Sequence, residues 1–135
     1  MKKLFSTKYS DRSISFALLV LRLGLGGLMI RHGFSKMVNF SSESVGFADP
    51  FGIGGTASLA LTVFAEFFCA VFIVAGLMTR LACIPLIIAT AVMVFYSHNG
   101  TVFGKAELPA LYLLGYTALL FTGPGKISMD RLIGK

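Results

Sequence analysis

Residues 15–37 read SFALLVLRLGLGGLMIRHGFSKM, an apolar segment with Arg22 near its middle and Arg31, His32 and Lys36 toward its far end. A run of this length predicts a helix that crosses a lipid bilayer. A cation at the centre of such a helix costs about 2.5–3.5 kcal/mol on insertion scales. Arg22 therefore demands a buried partner. Only one acidic residue elsewhere, Glu66, also lies deep in an apolar run, so the expectation is a buried Arg22–Glu66 pair.

The rest of the composition agrees with a membrane setting. Hydrophobic residues make up 56% of the 135 and charged residues 13%, where a soluble domain is about a quarter charged. The mean hydropathy is +0.82. The formal charge of +6 does not point to nucleic acid, because the basic residues sit at the ends of apolar runs and form no stripe interleaved with aromatics. Cys69 and Cys83 fall inside apolar segments with no CxxC or His/Cys ligand spacing, and read as structural. Lys2, Lys3 and Lys8 ahead of an apolar run resemble the start of a signal peptide. The run is too long for one and lacks a small-x-small cleavage site, so it is expected to stay as the first span.

Four spans are predicted, over about 13–37, 57–78, 81–97 and 108–122. The fold class is an all-α integral membrane protein: an antiparallel four-helix transmembrane bundle in one domain, 1–135. The connection 38–56 is polar, then glycine-rich. Its GIGG reads as a flexible joint and not a phosphate loop, since no strand precedes it and no GK[ST] follows. Thr79 and Arg80 make a tight turn between antiparallel neighbours. Pro109 suits the opening turn of the last span and Gly123-Pro124-Gly125 stops it. The tail KISMDRLIGK is expected to form a short interfacial helix capped by Ser128, with Asp130 near its start. Lys2, Lys3, Lys8, Arg12, Arg80, Lys126, Arg131 and Lys135 gather on one side, whereas the opposite loops mix Lys36 and Lys105 with Glu43, Asp49 and Glu107. The positive-inside rule then places both termini in the cytoplasm.

Depth and helical phase refine the site. Counting 1.5 Å per residue from Arg12 and Arg80, Arg22 lies about 15 Å and Glu66 about 21 Å above the same edge. A long guanidinium spans that difference. At 100° per residue Arg22, Gly26, Met29, Gly33 and Lys36 share one face, His32 lies beside it and Arg31 points away as an interfacial anchor. The glycines on that face admit a close neighbour. Tyr112 and Tyr116 stack one turn apart on the last span.

Three motifs now stand in order: R-x3-G-x6-G-x2-K from Arg22 to Lys36, AE followed by small residues and GLMTRLA in the second span, and GPGKISMD after the fourth. Together they resemble the DoxX family of small four-helix bacterial membrane proteins. The resemblance implies a four-helix membrane bundle associated with oxidoreductase chemistry, as in DoxD of a thiosulfate:quinone oxidoreductase. Its motif positions fall on Arg22, Gly26, Gly33, Lys36, Glu66, Arg80, Gly123, Gly125 and Asp130. It assigns no catalytic residue, and whether the chain is itself an enzyme stays open.

The candidate substrate-binding residues are Arg22, His32, Lys36, Glu66, His98 and Tyr112. They are expected to surround a quinone head group or small anion in the outer half of the bundle. Arg22 would stabilise a reduced anion, Glu66 would hold Arg22 or take a proton, and His32 or His98 would donate hydrogen bonds. Two histidines without a third convergent ligand predict no metal site. No haem, iron-sulfur, flavin or dithiol ligands are present, so no intrinsic cofactor is expected beyond a bound quinone, and redox chemistry needs a partner subunit. The alternative is a non-catalytic adaptor or assembly factor of the bacterial cytoplasmic membrane, alone or as a homo-oligomer, in which the Arg22–Glu66 pair only fixes helix register. A transporter is disfavoured because no internal repeat is visible.

Overall fold

A computed structural model describes residues 2–97 and 99–134. Four helices carry the fold among them: α1 (Asp11–Val38), α2 (Gly55–Ala75), α3 (Thr79–Ser97) and α4 (Glu107–Thr122). No strand occurs among the described residues. The first three are long and apolar enough to cross a membrane, and α4 is a shorter apolar helix. The 28 residues of α1 make it about 42 Å long, more than the roughly 30 Å of a hydrocarbon core. Large apolar side chains stay exposed on every helix, among them Phe16, Leu61, Ile88 and Leu114. A continuous apolar exterior of this kind belongs in lipid.

The sequence dictates where each helix begins. Ser10 accepts a hydrogen bond from Ser13 N and caps α1. After α1 comes a short helical turn, Phe40–Glu43, and then a loop organised by Asp49. Its carboxylate accepts from Ile53 N at 3.0 Å, Gly54 N at 2.8 Å and Ser58 Oγ at 2.9 Å. Gly52 and Gly54 take positive φ there, which only glycine adopts freely. GIGG is thus a built turn tied to the start of α2, not a slack joint.

The glycines of α1 set the packing. A Cβ on Gly26 would meet Val74 and the Ala70 carbonyl, and one on Gly33 would meet the backbone of Glu66 and Phe67 at 2.6 Å. Later residues of α1 thus touch earlier residues of α2, so the two helices run antiparallel at near-backbone contact. Helix α4 meets α1 through side chains, with Gly115 against the Leu25 side chain and Tyr116 Oη donating to the Leu25 carbonyl at 3.0 Å. The buried set of α1 is Ser15, Leu18, Arg22, Gly26, Met29 and Gly33, the face that a 100° step selects. Cys69 and Cys83 are free and buried in the core beside Ile73, Leu86 and Tyr116.

The tail departs from expectation. Only Met129–Leu132 is helical, with Ser128 as its cap, and the segment does not stand apart from the bundle. It passes under the α2–α3 turn. Gly125 lies against Ser15 and Leu18, Ser128 packs on Gly76, and Asp130 N donates to the Gly76 carbonyl at 2.9 Å. Both Asp130 oxygens accept from the start of α3, Met78 N at 2.6 Å and Thr79 N at 3.0 Å. Asp130 therefore caps α3 and not its own short helix. Its two bonds hold Met78 in the left-handed conformation (φ 46°), which a side chain other than glycine adopts at a cost.

Candidate functional site

The Arg22–Glu66 pair is not formed. Glu66 is fully buried and its Oε2 accepts from Lys36 Nζ at 2.7 Å, the closest ion pair within the bundle among the described residues. Arg22, 1% exposed, donates from Nη2 to the Ile127 carbonyl and packs against Gly76. The carboxylate that acts on its charge is Asp130. The tail explains the difference. Because residues 123–130 fill the space beneath the α2–α3 turn, Gly76 comes level with Arg22, and α2 sits about seven residues, or ~10 Å, further along α1 than a count from Arg12 and Arg80 implies. Glu66 then faces Gly33 and comes within reach of Lys36, the motif cation one turn farther along α1.

Around that ion pair the helices leave a half-open pocket of about 70 Å³. All four contribute: Met29, His32 and Lys36 from α1, Glu66 from α2, Met93 from α3, and Leu108, Pro109 and Tyr112 from α4. Four of the six candidate residues, His32, Lys36, Glu66 and Tyr112, thus line one space. Arg22 lies elsewhere, and His98 is outside the described residues. The His32 ring meets Tyr112 edge-on with centroids 6.1 Å apart, and Tyr112 stacks on Tyr116 at an interplanar angle of 13°.

Two backbone irregularities flank the pocket. Phe64–Cys69, which carries Glu66, and Met93–Ser97, which carries Met93, are π-helical turns. Such widened turns recur at functional sites, where they re-aim a side chain and relax one hydrogen bond of the helix. Neither is legible in the apolar pattern of the sequence. Met29, Met93, Leu108 and Pro109 also line the pocket without being candidate binding residues in the sequence, since an apolar side chain on an apolar face carries no signal of its own.

The polar groups are unevenly satisfied. Glu66 Oε1 is buried and has no hydrogen-bond partner among the described residues. An acceptor left bare in this way costs on the order of 1–3 kcal/mol. Lys36 retains 20% side-chain exposure, enough to present a second N–H to an occupant. No group of three His, Cys, Asp or Glu side chains converges among the described residues.

The family motifs divide between two places. Gly33, Lys36 and Glu66 build the pocket, whereas Arg22, Arg80, Gly123, Gly125 and Asp130 build the opposite end. There Arg80 Nη2 donates to the last turn of α4 at Phe121 O, 3.4 Å, a cation placed where the helix dipole is negative. No curated protein and no solved structure matches the chain. The DoxX family model matches residues 17–99, from the first turns of α1 past the end of α3 and short of α4 and the tail, and on that match the chain is a membrane protein belonging to the DoxX family.

Proposed function

We propose that the protein is a four-span subunit of a bacterial cytoplasmic-membrane oxidoreductase system, binding the hydroxyl-bearing head group of a quinol between α1, α2, α3 and α4. The observation that carries this reading is the buried, partnerless Glu66 Oε1 at the wall of a pocket that also presents Lys36, His32 and Tyr112. Of the two ligand classes weighed from the sequence, quinone and small anion, the bare carboxylate oxygen favours the quinone class in its reduced quinol form, whose hydroxyl is a donor, since an anion would be repelled by it. The pocket's about 70 Å³ exceeds several-fold the roughly 10–15 Å³ that one water needs. That room receives a hydroxyl and the ring edge bearing it, while the isoprenoid tail stays in lipid.

A quinol gives up two electrons and two protons when it is oxidised: the electrons pass to a redox group of a partner subunit, the proton of the hydroxyl in the pocket passes to Glu66, and that of the second hydroxyl leaves to water. Glu66 Oε1 accepts the hydroxyl hydrogen bond and is positioned to receive its proton. Lys36 compensates the carboxylate and turns a further N–H toward the ring oxygen. His32, exposed and edge-on to Tyr112, connects the pocket mouth to water. A short-chain quinol raises the melting temperature of the detergent-solubilised protein in this reading, and Glu66→Gln abolishes the shift. An equal shift in the variant, or none in the native chain, overturns it.

Both termini face the cytoplasm in this arrangement. The support is the charge at the end formed by the α1 start, the α2–α3 turn and the tail, where Lys8, Arg12, Arg80, Lys126 and Arg131 gather. Labelling of single cysteines introduced at Ser6 and Ser42 from outside intact cells distinguishes the two ends: only the Ser42 position reacts. The adaptor reading draws on a separate observation, the open space in front of Gly24 and Gly27 on the outer face of α1, where a partner helix or second copy packs closely. Crosslinking in native membranes from that face recovers a defined partner if it is correct.

A further inference from the structure

At the end opposite the pocket, the α3 start, the α4 stop and the tail enclose an open groove of about 890 Å³. Arg80, Lys126 and Arg131 line it. The acid that shares the groove, Asp130, has both oxygens taken by the Met78 and Thr79 amides. Lys126 pairs with Asp11 at 3.0 Å, but the two side chains are 54% and 78% exposed, so the pair is weak and readily exchanged for another anion. Thr79 lies buried at the groove floor with its Oγ1 lacking a partner among the described residues.

Position decides what the anion is. The groove lies where α3 starts and α4 ends, which is the level of lipid head groups for helices that cross a bilayer. Its rim carries Leu81 and Ile133, 62% and 66% exposed, beside the cations. A cationic recess with an apolar rim at this depth matches a phosphodiester attached to acyl chains and not a free anion. We propose that this groove is a binding site for the phosphate of an anionic phospholipid, with Arg131 and Lys126 supplying the charge and Arg80 the fixed wall.

Native mass spectrometry of the full chain, released from micelles containing phosphatidylglycerol or phosphatidylcholine, tests the site. The expected result is a retained phosphatidylglycerol adduct and no phosphatidylcholine adduct. Each neutralised cation weakens binding by about fivefold, so the Lys126→Gln/Arg131→Gln variant loses most of the adduct. Both side chains are exposed, and an unchanged melting temperature in phosphatidylcholine verifies that the variant is folded. Equal adducts with the two lipids, an unchanged adduct in the folded variant, or displacement by inorganic phosphate alone overturns the proposal.

Discussion

One helix, α1, carries two buried-charge arrangements that solve the same problem differently. Arg22 sits deeper in the apolar run, yet it is enclosed by backbone: the Ile127 carbonyl, the Gly76 turn and, beyond it, the Asp130 carboxylate. Its Nε and Nη1 are buried without a hydrogen-bond partner among the described residues, and Arg22 lines neither the pocket nor the groove. Lys36 lies a few turns farther along, pairs directly with Glu66 at 2.7 Å, and leaves one carboxylate oxygen bare beside a pocket. The first arrangement fastens the tail under the bundle. The second keeps an acceptor available. Depth in the membrane measures how strongly a charge needs a partner; what separates the two ends is that the unsatisfied Glu66 oxygen belongs to a residue lining a cavity, whereas the unsatisfied Arg22 nitrogens do not.

The sharpest way to break this contrast is to test which acid Arg22 depends on. Arg22→Met and Asp130→Ala are each expected to destabilise the protein in micelles by roughly 2–5 kcal/mol, because each strands a buried group or removes the α3 cap. Their double variant should fall short of the sum by about 0.5–3 kcal/mol, while Arg22→Met with Glu66→Gln should be additive. Coupling of Arg22 to Glu66 and not to Asp130 in unfolding titrations would reverse the assignment of the two ends.

A smaller loss is expected at the pocket's own packing. Gly33→Ala places a methyl 2.6 Å from the Glu66 carbonyl carbon, against backbone that cannot rotate aside, and overpacking of this kind costs about 1–3 kcal/mol. Gly26→Ala meets the Val74 methyl at 2.6 Å and the Ala70 carbonyl oxygen at 3.0 Å, so it is also overpacked, but its closest contact is a side chain and the cost should be smaller. Comparison of the two melting temperatures checks this, with the quinol shift lost in the Gly33 variant and retained in the Gly26 variant.

Lys36→Met should behave as a polar-network lesion: less stable alone, and partly restored by Glu66→Gln, because the neutral pair no longer buries an unpaired charge. No restoration would mean that Glu66 does not rely on Lys36. In both variants the tail end stays intact, which protection of the Lys126–Arg131 segment from proteolysis reads directly.

The smallest effect concerns the loop ahead of α2. Hydrogen bonds from Gly54 N, then Ser58 and Ile53, hold the Asp49 carboxyl below the usual carboxylate range. A depressed pKa in the folded state means that the stabilisation is complete above the unfolded value and is lost as pH falls through the folded one. Acidification below the ordinary carboxylate range should therefore lower the melting temperature of the native chain more than that of Asp49→Asn.

Much of the fold is legible in the residues themselves. The apolar runs mark the membrane helices, the 100° phase of α1 selects its buried face from Arg22 through Gly33, and Tyr112 and Tyr116 stack as their spacing implies. That His32, Lys36 and Tyr112 face the pocket follows from helical phase, but they share it with Glu66 only because of an interhelical offset that depth counting missed. The choice of partner for Glu66 is likewise not legible. It depends on how far one helix slides along another, and that slide is set by the tail, whose glycines and Asp130 wedge under a turn 52 residues earlier in the chain.

Sequence alone therefore determined that this chain lives in lipid, which residues of α1 turn inward and that its buried cations need buried partners, because hydrophobic transfer and helical periodicity act locally. Tertiary structure alone decided which cation meets which acid, where α2 and α3 widen into π turns, and which oxygen stays bare. Those outcomes are set by the interhelical offset and by the volume of the tail packed against the bundle, quantities to which no single segment responds until all four helices and the tail are in place.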